Sequence, residues 1–255
     1  MSTEKFYDDL VPYYDLIFPD WNESMARQGD ALARVIRENL DPPASASPRV
    51  LDAAAGIGTQ ALPLAARGFR VTARDLSPQA IARLTHEAAA RGLSMDAGVA
   101  DMRVVRATVT DHFEAVVCCD NSLPHLLTDA DISAAFSEFR AVLIEGGVCV
   151  CSVRDYDRID HAGMVRHEYG ERRRGEQVFQ LRQQWRWTDR THYDVTFVVE
   201  EQTASGPMER VRTVTQYYAI GISRLLELMV AAGFTSCRRM DDVFYQPVLF
   251  GRRAI

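Results

Sequence analysis

The sequence predicts a doubly wound α/β fold built on a mostly parallel sheet of seven strands. Between residues 49 and 154, short apolar runs rich in β-branched residues alternate with segments of helical periodicity, as in sheets covered by helices on both faces. In the segment 50–59, an apolar run ends in an acid, small residues and two glycines before a helical pattern begins. Such a turn lets a ligand approach the backbone and a helix N-terminus closely.

Composition restricts the class of protein. The chain has 255 residues, 47% of them hydrophobic, and a net charge of −6, which fits one large domain or one elaborated domain and argues against a nucleic-acid partner. No apolar run approaches the roughly 20 residues of a membrane span, and the N-terminus lacks signal-peptide features. The five cysteines show no C-x-x-C spacing, and the six histidines are scattered. We therefore expect a cytoplasmic protein without a metal site.

The first section, residues 1–48, is predicted to form a helical lid. It begins with an aromatic-rich lead and continues as a helix, which Asn22 or Ser24 can cap. A proline- and serine-rich linker over 41–48 separates it from the core. The aromatic residues of the lead are Tyr7, Tyr13, Tyr14, Phe18 and Trp21.

The core, residues 49–154, alternates strand and helix. Gly68 and Gly92 end two of the helices, and Gly146-Gly147 is predicted to be a turn into the fifth strand. We expect strands over 50–53, 70–74, 95–100, 115–119 and 148–153, and helices over 59–67, 78–91 and 131–143.

The period changes after Arg154. Three runs of alternating polarity predict an antiparallel meander inserted over residues 155–220. Residues 221–255 return to the core as a last helix and two closing strands. The predicted strands of the meander are 178–187, 193–200 and 210–219, the helix is 222–232, and the closing strands are 235–240 and 244–252.

Acids at strand ends indicate the ligand. Asp75, after the second strand, can accept two hydrogen bonds from ribose hydroxyls, and Asp101, after the third, can accept one from an exocyclic amine such as adenine N6. A dinucleotide site would show G-x-G-x-x-G, whereas here Ala54 stands where a first glycine is expected. This register and the added acid favour S-adenosylmethionine over NAD.

With these motifs in place, the chain resembles the class I S-adenosylmethionine-dependent methyltransferases, and within them the glycine and sarcosine N-methyltransferases. The resemblance extends over nearly the whole chain, although its first three motifs are shared by many methyltransferases. It rests on VLDAAAGIGT (50–59), VTARDLS (71–77), ADM (100–102), FEAVVCCDNSLPHL (113–126) and VRDYD (153–157).

The resemblance implies a Rossmann-like methyltransferase that N-methylates a small amino acid or related amine. Asn121 and Arg154 match the residues that hold the acceptor carboxylate in that family. Tyr14 and the pair Tyr217-Tyr218 match its pocket tyrosines, and Tyr7 is a further counterpart. His125 joins the catalytic candidates, although a structural role for it is also open. The residues expected around the cofactor are Trp21, Arg27 (toward the methionine carboxylate), Asp52, Ala54, Gly56, Gly58, Asp75, Leu76, Asp101, Met102 and Cys119.

The chain departs from the family at Met102, where an aromatic residue is common, and at Asp120, where relatives have a small residue. Arg154 could instead form an ion pair with Asp155 or Asp157, and Asn121 could be a simple turn residue. The acceptor could be a hydroxyl or a larger natural product. A non-catalytic nucleoside-binding regulator and a homo-oligomer are further alternatives.

Overall fold

The computed structural model describes residues 2–40, 46–161 and 163–254, so part of the predicted linker, 41–45, lies outside the described residues. The larger of two sheets has seven strands in the order β10-β11-β5-β4-β1-β2-β3. Its strands are β1 (Arg49–Asp52), β2 (Arg70–Asp75), β3 (Asp96–Val99), β4 (Phe113–Cys118), β5 (Leu143–Ser152), β10 (Phe234–Met240) and β11 (Val248–Arg253).

The first five strands of this sheet pair in parallel, whereas β11 is antiparallel to both β5 and β10. The strand order reverses between β1 and β4, so the crevice beyond their carboxyl ends is the expected ligand site. The predicted fold class is confirmed. The helices are α1 (Thr3–Leu10), α2 (Trp21–Asn39), α3 (Ala61–Ala66), α4 (Pro78–Ala90), α5 (Asp129–Val142) and α6 (Ile222–Ala231), and a 3₁₀ helix spans Val11–Ile17.

Helices cover both faces of the sheet. The adjacent residues Val50 and Leu51 point to opposite faces, and both are fully buried. Leu51 packs in a cluster with α5 and α6, including Phe136. Val50 packs in a second cluster with residues of α2, α3 and α4, including Ile36. Burial on both faces explains why these strands read as continuous apolar runs.

Helix caps correct two predicted starts. The side chain of Asp20, rather than that of Asn22 or Ser24, caps α2 by accepting a hydrogen bond from the N–H of Glu23. Thr128 caps α5 in the same way, so that this helix begins at Asp129 instead of residue 131. A side-chain oxygen at the N-cap satisfies an N–H that has no partner within the helix.

The smaller sheet lies in the chain between β5 and α6 and has four antiparallel strands, not the three that were predicted. The missed strand, β6, is an edge strand with mostly exposed polar side chains, so it lacks an alternating pattern. The inner face of the sheet packs against Phe6 and Leu10 of α1. The four strands are β6 (Met164–Arg174), β7 (Gln177–Trp187), β8 (His192–Thr203) and β9 (Gly206–Tyr218).

Two further boundaries differ from prediction. Gly146-Gly147 is not a turn into β5, because the strand already begins at Leu143 and the pairing with β4 contains an irregularity. Gly146 has a φ of +74°, which glycine adopts without strain. The closing strand begins at Val248 rather than residue 244. The loop before it, 241–247, therefore becomes available to line a cavity.

Candidate active site

Two cavities adjoin the carboxyl ends of the central strands. The inner cavity, of about 260 Å³, lies beyond β1, β2 and β4 and is lined in part by residues of the N-terminal segment such as Tyr7. The outer cavity, of about 720 Å³, lies beside it. The residues predicted for the site that line the inner cavity are Tyr14, Ala54, Gly56, Asp75, Leu76, Asp101, Met102 and His125.

The glycine turn shapes the floor of the inner cavity. Gly56 (φ +53°) and Gly58 (φ +100°) both have backbone conformations that favour glycine. A Cβ on Gly56 would meet no atom of the described residues within 4 Å, whereas one on Gly58 would lie 2.7 Å from Cγ of Leu62. Gly56 therefore opens toward the cavity, and Gly58 lets α3 pack closely against the turn.

Asp75 ends β2 and is fixed by the turn. Its Oδ2 accepts a hydrogen bond from the N–H of Gly56 at 2.7 Å, and its Oδ1 accepts one from the N–H of Ser77 at 2.9 Å. Burial raises the pKa of Asp75, and the backbone hydrogen bonds oppose that effect. The carboxylate is thus oriented at the cavity wall, where it can accept further hydrogen bonds.

Asp101 forms an ion pair with Arg103 at the rim of the inner cavity. Arg103 contacts its carboxylate at 2.6 Å and also contacts Asp131 at 2.9 Å. Both oxygens of Asp101 are engaged by Arg103. An exocyclic amine of a ligand would therefore share this acid with a guanidinium.

Asp52 is an incompletely paired buried acid. It is 1% exposed, its Oδ1 accepts a hydrogen bond from the N–H of Ala54 at 3.3 Å, and its Oδ2 has no hydrogen-bond partner within the described part of the chain. Desolvation raises the pKa of Asp52 to about 7. Asp52 itself does not line the inner cavity, although the adjacent Ala53 and Ala54 do.

Asp52→Asn is expected to stabilise the ligand-free protein increasingly as pH rises. The folded-state pKa is near 7 and the unfolded value is about 4. The native carboxylate therefore lowers stability as pH rises between these values, by about 4 kcal/mol at most above the upper one. Urea unfolding at about pH 5 and about pH 8 measures the difference. Asp30→Asn is the control, because Arg67 lowers the pKa of that exposed acid. A stability difference for Asp52→Asn that does not change with pH would contradict this expectation.

His125 is a neutral group in an aromatic setting. Its Nε2 lies 2.7 Å from the hydroxyl of Tyr7, and its ring centroid lies 4.0 Å from that of Tyr217. Burial, assisted by the charge of Arg154, lowers the pKa of His125 to about 3. An imidazole with so low a pKa is a weak proton acceptor at neutral pH.

Arg154 lines the outer cavity without a carboxylate partner among the described residues. Its guanidinium lies 3.4 Å from the hydroxyl of Tyr193 and 5.0 Å from the ring of Trp185. The alternative pairing with Asp155 is not found, because Asp155 contacts Arg239 at 2.7 Å and Arg158 at 3.3 Å. The guanidinium is thus available to an anion entering the cavity.

Asn121 fixes the backbone of Arg154 by a hydrogen bond. It is 1% exposed and has a φ of +63°. Its Oδ1 accepts a hydrogen bond from the N–H of Arg154 at 3.0 Å, and its Nδ2 donates one to the hydroxyl of Tyr156 at 2.8 Å. The structure brings Asn121 and Arg154 together, with the amide of Asn121 engaged by protein groups.

Several predicted residues lie away from the inner cavity. Arg27 lines the outer cavity and contacts Glu23 at 3.4 Å. Trp21 donates to the hydroxyl of Thr59. Three others are Cys119, buried in the core; Tyr217, buried beside His125; and Tyr218, which donates to Asp129. The residues that line the inner cavity likewise do not include Asp52, Gly58, Asn121 or Arg154.

Sequence reasoning missed most residues of the outer cavity, among them Asp120, Tyr169, Phe244 and Tyr245. Asp120 was visible as a departure from the family pattern, which is the one signal that could have identified it. The other three of these come from the unpredicted strand β6 and from a loop assigned to a strand.

Known proteins are similar to this chain in sequence and in fold. Residues 50–147 match the family model of a methyltransferase domain. A glycine/sarcosine N-methyltransferase of Parasynechococcus marenigrum (strain WH8102) is 31% identical over 160 residues, which cover 63% of this chain and 54% of that protein. The corresponding enzyme of Halorhodospira halochloris is 28% identical over 66% of this chain and 60% of its own length. The chain therefore spans little more than half the length of these curated relatives.

Solved structures share the fold. DesVI of Streptomyces venezuelae superposes with a TM-score of 0.77 at 19% identity, covering 95% of this chain and 98% of that one. An amino pentose methyltransferase from Micromonospora echinaspora, solved with S-adenosylmethionine bound, gives a TM-score of 0.74 at 19% identity, covering 91% and 92%. The chain therefore carries a methyltransferase domain over residues 50–147 and shares its fold with these solved methyltransferases. Its sequence is similar to the glycine/sarcosine N-methyltransferases.

The described residues contain neither a membrane-spanning helix nor a metal-binding cluster. No helix within residues 2–40, 46–161 and 163–254 is long and apolar enough to cross a membrane. In the same part of the chain, no three or more His, Cys, Asp or Glu side chains are grouped so as to hold a metal ion.

Proposed function

We propose that this protein transfers the methyl group of S-adenosylmethionine to the nitrogen of an amine that also bears a carboxylate. The observation that carries the proposal is Arg154, a guanidinium without an ionic partner among the described residues, in a cavity adjoining the inner one. An unpaired arginine of this kind binds a carboxylate through two parallel hydrogen bonds. The similarity to glycine/sarcosine N-methyltransferases supports the same class of acceptor.

The residues of the inner cavity fit S-adenosylmethionine. Asp75 would accept hydrogen bonds from the ribose hydroxyls, and the turn at Gly56 would let the ligand approach the backbone. Leu76 and Met102 offer apolar contacts to the adenine, with Asp101 at the rim. When bound, this cofactor supplies a methyl group on a sulfonium, which is already a good leaving group.

The task left to the protein is therefore orientation and exclusion of water. The tyrosines of the N-terminal segment, Tyr7 and Tyr14, line the inner cavity and would shield the reacting atoms. Arg154 would fix one end of the acceptor, and Asn121 would fix the backbone of Arg154. Holding the nitrogen in line with the methyl carbon accounts for much of the rate in such transfers.

A second acceptor class, larger amines such as amino sugars, is favoured by the size of the outer cavity. Its volume of about 720 Å³ lies in the range that holds drug-sized ligands and exceeds what glycine needs. The loop over 241–247 forms one wall of this space, and loops of this kind set acceptor size independently of the cofactor site.

Product analysis by mass spectrometry tests the proposal. The protein is incubated with S-adenosylmethionine carrying a labelled methyl group and with a panel of glycine, sarcosine, dimethylglycine, amino sugars and phenols. We expect the label on nitrogen, with carboxylate-bearing amines preferred. Label on phenols alone would overturn N-methylation, and label on amino sugars alone would assign the second class.

A further inference from the structure

We propose that Asp120 receives the acceptor as an ammonium ion and takes the proton that must leave before methyl transfer. This inference rests on the proposed amine acceptor and names the group that handles its charge. Asp120 lines the inner cavity and also the outer cavity. A nitrogen passing from the outer cavity to a methyl group in the inner one therefore passes this carboxylate.

The carboxylate is held at that junction by donors from two sides. The hydroxyl of Tyr14, from the N-terminal segment, donates to Oδ2 at 3.2 Å. The hydroxyl of Tyr245, from the loop before β11, donates to Oδ1. Tyr14 lines the inner cavity and Tyr245 the outer one. The two hydroxyls thus orient Asp120 between the two ligands and leave further lone pairs for an N–H donor.

The backbone at Asp120 is also set in an unusual conformation. Asp120 and Asn121 have φ values of +58° and +63°, a region that non-glycine residues rarely occupy. Ser152, at the end of β5, fixes both residues, because its Oγ accepts from the N–H of Asp120 and its carbonyl accepts from the N–H of Asn121. The fold thus holds a carboxylate where a glycine would be the unstrained choice.

The surroundings suit a proton acceptor of this kind. Burial raises the pKa of Asp120, while the hydroxyl of Tyr245 and the charge of Arg154 oppose that effect. A carboxyl with a raised pKa is a better base than one in water, and His125, with a pKa of about 3, is a poor alternative. The titratable and charged groups that face Asp120 are Tyr7, Tyr14, Cys119, Arg154, Tyr169 and Tyr245.

The proton and electron balance is complete without another reactant. The acceptor ammonium gives one proton to the Asp120 carboxylate and becomes a neutral amine. The nitrogen lone pair then forms the new N–C bond as the C–S bond breaks, and the electron pair of that bond returns to sulfur. The product leaves as a methylated ammonium ion, and the neutral acid of Asp120 releases its proton to water.

The test compares Asp120→Asn with the wild type on two acceptors: the best alkyl amine of the product screen, and its aminooxy analogue, which is already neutral at about pH 7. Asn keeps the size of the side chain and tolerates the left-handed backbone. We expect kcat/KM for the alkyl amine to fall about 100-fold and to recover partly at high pH, where free amine becomes available. The kcat/KM for the aminooxy analogue should fall only slightly, and the Kd for S-adenosylmethionine should be unchanged.

Two further variants keep the result interpretable. Asp120→Gly removes the backbone strain, so it should unfold at a higher temperature and still lose activity with the alkyl amine. Asp30→Asn, on the exposed face of α2, should behave as the wild type. If Asp120→Asn lowers kcat/KM equally for both acceptors, or does not lower it for the alkyl amine, the role of Asp120 is overturned while the proposed function stands. A wild type that methylates no amine would overturn the proposed function and this inference with it.

Discussion

Replacing Arg154 by alanine is expected to raise the KM for a carboxylate-bearing amine about 100-fold, with little change in the Kd for S-adenosylmethionine. The magnitude follows because removing one partner of a buried, hydrogen-bonded charge pair weakens binding by about 2–5 kcal/mol. The KM for the acceptor should change without the Kd for S-adenosylmethionine, because Arg154 lines the outer cavity but not the inner one. Steady-state kinetics on the best acceptor and calorimetry of cofactor binding measure the two quantities.

The nearby Arg158 provides a matched control. It is 80% exposed and contacts Asp155, which also keeps its contact with Arg239, so Arg158→Ala should leave both constants almost unchanged. The KM of Arg154→Lys for the acceptor should lie between those of the wild type and Arg154→Ala, because an ammonium lacks the planar fork that binds a carboxylate. Equal loss of acceptor and cofactor affinity in Arg154→Ala would contradict the assigned role.

Replacing Asp75 by alanine is expected to raise the Kd for S-adenosylmethionine at least about 100-fold and to change the KM for the acceptor little. Two hydrogen bonds from ribose hydroxyls to a charged acceptor contribute about 1.5–3 kcal/mol each. The variant also releases the N–H groups of Gly56 and Ser77, which loosens the turn. Calorimetric titration with S-adenosylmethionine and with S-adenosylhomocysteine measures the loss.

Asp96 serves as the control for Asp75, because it lies on the neighbouring strand β3 and is 65% exposed in its pair with Arg74. Asp96→Ala should keep cofactor affinity within about twofold, because Asp96 lines neither the inner nor the outer cavity. Asp75→Ala with unchanged cofactor affinity would show that the carboxylate serves the turn alone.

Much of the sheet could be predicted from sequence because its strands are buried on both faces. Val50 and Leu51 predict a core strand by their apolar composition alone. Asp75 predicts the carboxyl end of a strand, because it is an acid that directly follows an apolar run. The edge strand β6 gave no such signal, since its side chains are largely exposed. The cap at Asp20 was missed for a different reason, because several polar residues in a row can each satisfy a helix N-terminus.

The candidate site also contains some residues that the sequence can locate and others that it cannot. The glycine turn and Asp75 are close in sequence to the strands that place them, so local pattern locates them. The outer cavity instead joins Phe18, Tyr169 and Tyr245, which are remote from one another in the chain and are brought together by tertiary packing. The engagement of the Asn121 amide by Tyr156 likewise depends on packing that no spacing rule contains.

The left-handed backbone at position 120 has an evolutionary consequence. Codons for aspartate and glycine differ by a single base, and the φ of +58° there suits glycine better than aspartate. The main-chain bond to Ser152 does not depend on the side chain at this position. A lineage can therefore add or remove a negative charge beside the acceptor by one mutation, while the sheet and the nucleoside-binding turn remain as they are.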